Sequence, residues 1–190
     1  MTAVLVLCTA NVCRSVMAQV MLTARRAERG APGPVSSAGL LGGGQPPPPA
    51  VITVMAARGV DISGHRSRAV TVADLAAADL IVGLAREHVR HAAVLLPGCW
   101  PRAFTLRELL RRGGQAGPRA PGEPMGGWLS AVAAGRSRRD LLGSGTSDDV
   151  PDPYGGPLAD YQATARLLDE LTRDLAALCW PVPEAGRPRW

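Results

Sequence analysis

Lysine is absent from the 190-residue sequence, so all 21 basic residues are arginine, against 16 acidic residues and a formal net charge of +5. Aromatic residues make up only 4%, and the arginines are scattered, which argues against a nucleic-acid-binding stripe. No run approaches the roughly 18 consecutive apolar residues of a membrane helix, and no basic region precedes the first apolar residues as in a secretory signal. We therefore expect a cytoplasmic protein without nucleic-acid or membrane partners.

Cysteines are few, and their spacing excludes several chemistries. The four are Cys8, Cys13, Cys99 and Cys179, with no C-x-x-C pair and no Cys/His cluster at zinc spacing. We expect no zinc site built from these cysteines and no structural disulfide framework in a reducing cytoplasm. Cys99 and Cys179 have the pattern of small buried hydrophobic residues. Cys8 and Cys13 need another explanation.

Short apolar runs alternate with helical patterns along the chain, which predicts an α/β fold with a parallel sheet. The predicted strands are residues 4–7, 35–38, 80–82 and 93–96. Helices are predicted over residues 15–29, 50–58, 85–92, 104–112, 128–142 and 158–178, with a Gly/Pro-rich surface loop at 113–127. We expect one domain over residues 1–180, followed by a tail at 181–190.

The loop between the first strand and the first helix, Cys8-Thr9-Ala10-Asn11-Val12-Cys13-Arg14-Ser15, has the chemistry of an anion site. Backbone N–H groups of such a loop and the positive helix N-terminus converge on one spot, which suits a phosphate group. The same field would stabilise the thiolate of Cys8 as a nucleophile. Arg14 could bind two phosphate oxygens with its planar fork. Ser15 could donate its hydroxyl to the sulfur.

A thiolate nucleophile needs an acid for the leaving oxygen, and the candidate is Asp152 in the segment Asp148-Asp149-Val150-Pro151-Asp152-Pro153-Tyr154. The flanking prolines would hold this one carboxylate rigidly over the pocket. Asp148 and Asp149 compete for the role, but prolines do not flank them on both sides. Tyr154 could form a wall for an aromatic substrate.

Together these segments resemble the low-molecular-weight protein tyrosine phosphatase family, whose pattern is a first-strand V-C-x-G-N-x-C-R-S-P loop and a late D-P-Y loop. Further matches are residues 37–39, 59–68 and 78–82, so the resemblance covers residues 3–96 and 148–178. It implies a three-layer α/β fold with a four-stranded parallel sheet flanked by helices. It also implies hydrolysis of phosphate monoesters, most naturally protein phosphotyrosine, through a phosphocysteine on Cys8 with Arg14 and Asp152 as partners. The resemblance implies that no metal and no cofactor is required.

The resemblance assigns supporting roles as well. Asn11, Ser15, Ser37 and His65 match a polar network that holds the loop in its strained shape. Cys13 matches a second cysteine that can form a reversible disulfide with Cys8 and so protect it from overoxidation.

The sequence departs from the family pattern in several places. Ala10 replaces a glycine, Val16 a proline and Gln19 a glutamate, and the segment 41–49 lacks an aromatic wall residue. The stretch at 97–147 is longer than the usual connection and is predicted to be an insert. Val12 favours an aryl substrate, because relatives that prefer phosphoarginine tend to carry threonine there.

Two other functions remain open at this point. Arsenate reductase shares the fold and the thiolate, but its thioredoxin-coupled form needs two further cysteines close together, whereas Cys99 and Cys179 lie far apart in the sequence. A non-catalytic phosphate-binding module would have no use for Asp152.

Overall fold

A four-stranded parallel sheet forms the centre of the computed structural model, which describes residues 1–142 and 145–182. Its strands are β1 (Val4–Cys8), β2 (Val35–Gly39), β3 (Leu80–Gly83) and β4 (Ala103–Thr105), in the order β2-β1-β3-β4. The seven α-helices of the described residues are α1 (Arg14–Glu28), α2 (Pro49–Ala56), α3 (Val72–Ala77), α4 (Arg86–Leu95), α5 (Leu106–Ala116), α6 (Met125–Val132) and α7 (Leu158–Cys179). The predicted α/β fold with a four-stranded parallel sheet is confirmed.

Helices cover both faces of the sheet, which explains why β1 is apolar at every position. Val4, Val6 and Cys8 face one core, formed with α1, α2, α5, α6 and α7. Leu5 and Leu7 face the other core, formed mainly with α3 and α4. All five residues of β1 are buried. Because both faces of the sheet are covered, a ligand can reach the sheet at the carboxyl ends of its strands, through the loops that follow them.

The fourth strand was predicted in the wrong place. Residues 93–95 form the end of α4 instead, because His88, Val89 and Ala92 are buried at helical spacing, and Leu96 is the C-cap. Val94, within the apolar run, is 76% exposed. The true β4 has only three residues, which are fully or almost fully buried.

The region predicted as an insert, residues 97–147, begins with a 3₁₀ helix at Pro97–Arg102. It continues with β4 and α5, which belong to the sheet and its covering layer. Helix α5 continues into the predicted loop as far as Ala116. Gly113 lies inside this helix. Its lack of a side chain is needed there, because a Cβ would come within 2.9 Å of Leu178 Cδ1 and 3.2 Å of Trp128. The predicted helix at 128–142 is replaced by α6 and a single 3₁₀ turn at Arg138–Leu141.

Buried charge ties the later part of this region to the sheet. The guanidinium of Arg136 lies 3.8 Å from the ring centres of both Trp100 and Phe104 and pairs with Glu108 at 2.8 Å. Burial lowers the pKa of Arg136, while the Glu108 carboxylate raises it. Within the described residues, no helix is both long and apolar enough to cross a bilayer. Most of the predicted tail, residues 183–190, lies outside the described residues.

Candidate active site

The loop between β1 and α1 lies tightly against the end of β2. Leu40 N donates to the carbonyl of Thr9 at 2.8 Å, and Leu41 N donates to the same oxygen at 3.0 Å. A Cβ on Gly39 would come within 2.9 Å of the backbone of residues 9–11. This close approach requires glycine at position 39, and it fixes the loop over the carboxyl end of the sheet.

Asn11 holds the loop in an unusual conformation. Its φ of 54° is the only positive value among the described non-glycine residues, and it is completely buried. Its side-chain amide donates to Ser15 Oγ at 2.9 Å and to Ser37 Oγ at 2.8 Å, and its Oδ1 accepts from Arg68 N at 3.1 Å. These bonds offset the cost of a left-handed conformation, which is about 1–2 kcal/mol for an L-residue.

Two further contacts complete the network around Asn11. His65 Nε2 lies 2.8 Å from the backbone carbonyl of Asn11. Ser37 Oγ donates to Gln19 Oε1 at 2.6 Å. The four residues predicted as supporting, Asn11, Ser15, Ser37 and His65, are therefore brought together. Gln19, which stands where relatives have glutamate, joins them as an acceptor.

The sulfur of Cys8 receives polar contacts from two directions. Asn11 N donates to Sγ at 3.2 Å, and Ser15 Oγ lies 3.0 Å away. Because Ser15 Oγ accepts from the Asn11 amide, its own hydrogen is available to the sulfur. Helix α1 starts at Arg14, with no side-chain cap and no acidic residue in its first turn. The sulfur therefore lies among hydrogen-bond donors at the amino-terminal end of α1.

Arg14 connects the loop to the segment that carries Asp152. Its guanidinium donates to Val150 O at 3.2 Å, to Thr9 Oγ1 at 3.1 Å and to Asp152 Oδ2 at 2.5 Å. Its side chain is 6% exposed, whereas that of Asp152 is 43% exposed. A guanidinium and a carboxylate separated by 138 residues in sequence therefore form one ion pair at the mouth of the loop.

Backbone contacts position the Asp152 segment against the sheet. Val150 N donates to Leu84 O at 2.8 Å, and Asp149 Oδ1 accepts from Arg86 N at the start of α4 at 2.8 Å. Asp148 pairs with Arg111 at 2.5 Å. The two competing acids therefore have partners away from the sulfur. Among the described residues, Asp152 Oδ1 accepts only from Tyr154 N, at 3.2 Å.

A pocket of about 260 Å³ opens above the sulfur. Leu41 and Tyr154 stand at its edge with 56% and 67% exposure. The complete lining comprises Cys8, Thr9, Ala10, Val12, Cys13, Arg14, Leu41, Asp152 and Tyr154. Eight of these nine were predicted from the sequence as site residues. Leu41 was not, and it stands on the loop that lacks the aromatic wall residue.

His88 and Glu87 were missed by the sequence analysis, although both contact the loop. His88 is fully buried, with Nε2 3.1 Å from Thr9 Oγ1, and Thr9 Oγ1 donates to Glu87 Oε1 at 3.1 Å. Thr9 in turn accepts from Arg14. Burial, followed by the charges of Arg14 and His91, lowers the pKa of His88 to about 3. A neutral imidazole therefore supports Thr9. The only sequence signal was the Glu-His pair at the start of the helix after β3.

The remaining cysteines differ in their surroundings. Burial, helped by the negative charges of Asp152 and Cys8, raises the pKa of Cys13 to about 12. Cys99 and Cys179 are completely buried on opposite faces of the sheet, as predicted for hydrophobic residues. Among residues 1–142 and 145–182, no cluster of three or more His, Cys, Asp or Glu side chains could hold a metal ion.

Comparisons with known proteins identify the family. The family model described as low molecular weight phosphotyrosine protein phosphatase matches residues 3–116. The chain belongs to this family. It is therefore a hydrolase of the protein-tyrosine-phosphatase type, and the resemblance inferred from the sequence is confirmed.

Relatives of known sequence or structure agree with this assignment. A probable low molecular weight protein-tyrosine-phosphatase, EpsP of Ralstonia solanacearum, is 36% identical over 106 residues, which is 56% of this chain and 71% of the relative. A low molecular weight protein tyrosine phosphatase from T. tengcongensis is 28% identical, with a TM-score of 0.68 over 92% of this chain and 97% of its own.

The YwlE arginine phosphatase of Geobacillus stearothermophilus also shares the fold. Its TM-score is 0.66 over 93% of this chain and 91% of its own, at 23% identity.

Proposed function

We propose that this chain hydrolyses phosphate monoesters, with protein phosphotyrosine as its substrate, through a phosphocysteine on Cys8. The observation that carries the proposal is the position of Cys8 Sγ on the floor of a pocket whose mouth carries Arg14 and Asp152. The sulfur has hydrogen-bond donors at 3.0 and 3.2 Å. No metal ion or cofactor takes part in the proposed reaction.

In the first step the Cys8 thiolate attacks phosphorus while the bond between phosphorus and the leaving oxygen breaks. Protonated Asp152 gives its proton to that oxygen, and the alcohol or phenol departs. Arg14 and the amides of residues 9–13 stabilise the three equatorial oxygens. The resting ion pair between Arg14 and Asp152 opens before this step, when the bound phosphate replaces the carboxylate on the guanidinium and Asp152 takes up a proton from the solvent.

In the second step Asp152, now ionised, accepts a proton from water as the water oxygen attacks phosphorus. The bond between sulfur and phosphorus breaks, and the electron pair returns to Cys8. The Ser15 hydroxyl, 3.0 Å from Sγ, donates to the departing thiolate and lowers the barrier. Inorganic phosphate then leaves, Asp152 releases its proton to the solvent, and the carboxylate pairs again with Arg14.

The apolar residues around the pocket support an aryl substrate. Val12 lies in the loop, and Leu41 and Tyr154 expose apolar surface at the mouth, on the side a phosphotyrosine ring would occupy. Among the described residues that line this pocket, a phosphoarginine guanidinium would find Asp152 as the only carboxylate. The test is turnover of matched phosphotyrosyl and phosphoarginyl peptides, with the first expected to be the better substrate.

We further propose a cytoplasmic location, where reducing conditions keep Cys8 a thiol between turnovers. Cys13 lines the same pocket. A disulfide between Cys8 and Cys13 would follow oxidation of Cys8 to the sulfenic acid, with water as the leaving group, and an external thiol would reverse it.

A phosphatase fits this chain better than its two rivals. Thioredoxin-coupled arsenate reduction needs a relay of exposed cysteines, whereas Cys99 and Cys179 are fully buried on opposite faces of the sheet. A phosphate-binding module would not place a carboxylate on Arg14, because that carboxylate competes with the ligand.

The experiment is turnover of p-nitrophenyl phosphate by the parent, Cys8→Ser, Asp152→Asn and the matched control Asp148→Asn. We expect activity to vanish in Cys8→Ser and to fall about 10²- to 10⁴-fold in Asp152→Asn. Asp148→Asn removes an equal charge from an ion pair outside the pocket and should retain activity. Undiminished turnover by Cys8→Ser, or thiol-coupled arsenate reduction without ester hydrolysis, would reject the proposal.

A further inference from the structure

A second cleft, of about 520 Å³, lies directly beside the catalytic pocket. Thr9, Arg14 and Asp152 line both cavities, so the Arg14–Asp152 ion pair forms the partition between them. The far side of the cleft is formed by the start of α4 and by residues 145–151. Residues 145–151 lie beyond the stretch matched by the family model, which ends at residue 116. A peptide whose phosphate sits on Arg14 has this cleft next to it.

The acidic residues that line the cleft already have partners. Asp149 accepts from Arg86 N, Asp152 accepts from Arg14 and from Tyr154 N, and Glu87 accepts from Thr9 Oγ1. Each of these carboxylates therefore accepts at least one hydrogen bond from the protein, although the side chain of Glu87 is 60% exposed.

The guanidinium of Arg86 differs from these acids. Within the described residues it forms no hydrogen bond and no ion pair, although Arg86 is only partly exposed and lines the cleft. Its Nη2 lies 3.6 Å from the position of a Cβ on Gly145, so the guanidinium rests beside the backbone of the segment that leads to Asp152. The cleft thus offers a planar cationic fork that the described residues leave unpaired.

We propose that this cleft is a substrate subsite in which Arg86 binds the carboxylate of an aspartate or glutamate next to the phosphorylated residue. The proposal rests on the proposed phosphatase function and deepens it. A guanidinium binds a carboxylate through two parallel hydrogen bonds, which suits an extended acidic peptide better than a neutral one. The cleft is large enough for one or two side chains of such a peptide.

The test compares two phosphotyrosyl peptides that differ only in glutamate or glutamine on both sides of the phosphotyrosine. For the parent, kcat/KM should be about two- to five-fold higher with the glutamate peptide than with the glutamine peptide, which is the range of a solvent-accessible ion pair. The difference should come from a lower KM. Arg86→Ala should reduce this ratio to about one, and Arg86→Glu should invert it. Arg166→Ala removes an exposed arginine that lines none of the described cavities, and it should keep the parent ratio.

The outcomes separate this inference from the proposed function. Turnover of p-nitrophenyl phosphate by the parent reports on the phosphatase activity alone. Equal kcat/KM values for the two peptides in the parent, or a parent-like preference in Arg86→Ala, would overturn the subsite while that turnover persists. If Arg86 instead binds free phosphate, inhibition by inorganic phosphate will weaken in Arg86→Ala with no change in the peptide ratio, which also overturns the proposal.

Discussion

The ion pair between Arg14 and Asp152 predicts that removing the carboxylate strengthens phosphate binding while it weakens catalysis. In the resting protein Asp152 Oδ2 lies 2.5 Å from Arg14 Nη2. The remaining contacts of the guanidinium, with Val150 O and Thr9 Oγ1, hold it in place. A bound phosphate must displace Asp152, so the free energy of the pair is subtracted from that of phosphate binding.

The size of the effect follows from the exposure of the two side chains. At an effective dielectric constant of about 20, contacting unit charges attract by about 4 kcal/mol. Arg14 is almost buried, but Asp152 is 43% exposed, so desolvation and solvent screening reduce the net value. For the net free energy of the Arg14–Asp152 pair we take about 1–2 kcal/mol. This lies between the ~0–1 kcal/mol of exposed pairs and the ~3–5 kcal/mol lost when a buried pair is broken. Asp152→Asn should therefore bind inorganic phosphate about 5- to 30-fold more tightly.

Isothermal titration calorimetry with inorganic phosphate measures this directly, without relying on turnover. The matched control is Asp148→Asn, whose carboxylate pairs with Arg111 at the same distance of 2.5 Å but outside the pocket. It should bind phosphate with the parent Kd. An equal or weaker affinity in Asp152→Asn would show that the pair does not compete with the ligand and would refute the reasoning.

Three further predictions concern the loop and its supports. Asn11→Ala should lower the free energy of unfolding by about 3 kcal/mol, because it leaves a non-glycine residue at φ 54° and deprives buried groups of their partners. Asn11→Gly should recover about 1 kcal/mol of that loss in urea denaturation. Because His88 is neutral in the fold and its pKa is lowered to about 3, stability should fall as pH drops from about 6.5 towards 3. His88 should contribute a slope of about 1.4 kcal/mol per pH unit to the free energy of unfolding in this range, and His88→Asn should lack this contribution. Mild peroxide should inactivate the parent reversibly, with activity restored by thiol, whereas Cys13→Ser should recover less.

Each of these has a clear contrary result. Equal stability of the alanine and glycine variants of Asn11 would argue against backbone strain. An acid transition in His88→Asn as steep as in the parent would assign it to carboxylates alone. Recovery of Cys13→Ser as complete as that of the parent would count against the protective disulfide.

Local chemistry was enough to predict β1, α1, β2, α2 and β3, but it missed the six-residue helix α3. The run at residues 4–7 reads as a strand because it is buried on both faces, and α1 follows at the predicted place. The fourth strand could not be found in this way. Residues 93–96 are as apolar as a strand, yet the first three of them belong to α4, whose buried residues lie one helical turn apart. β4 is too short to give a periodic signal, and it forms only by pairing with β3.

The candidate site was predictable where the sequence itself is unusual. Asp152 stands between two prolines, and the loop from Cys8 to Ser15 combines a cysteine and an arginine at the start of a helix. Leu41, Glu87 and His88 reach the site only through tertiary packing, because 78 residues separate Thr9 from Glu87. Nothing in the sequence near these residues specifies that contact. The cleft at Arg86 likewise exists only because the segment at 145–151 packs against α4.

The most direct test of the account is to identify the phosphorylated residue during turnover. The parent is mixed with p-nitrophenyl phosphate, quenched in acid within the first turnover and digested for mass spectrometry. We expect a phosphoryl group on the sulfur of Cys8, formed at the same rate as a burst of p-nitrophenol. Release of p-nitrophenol with the phosphoryl group on another residue, or with none on the protein, would contradict it.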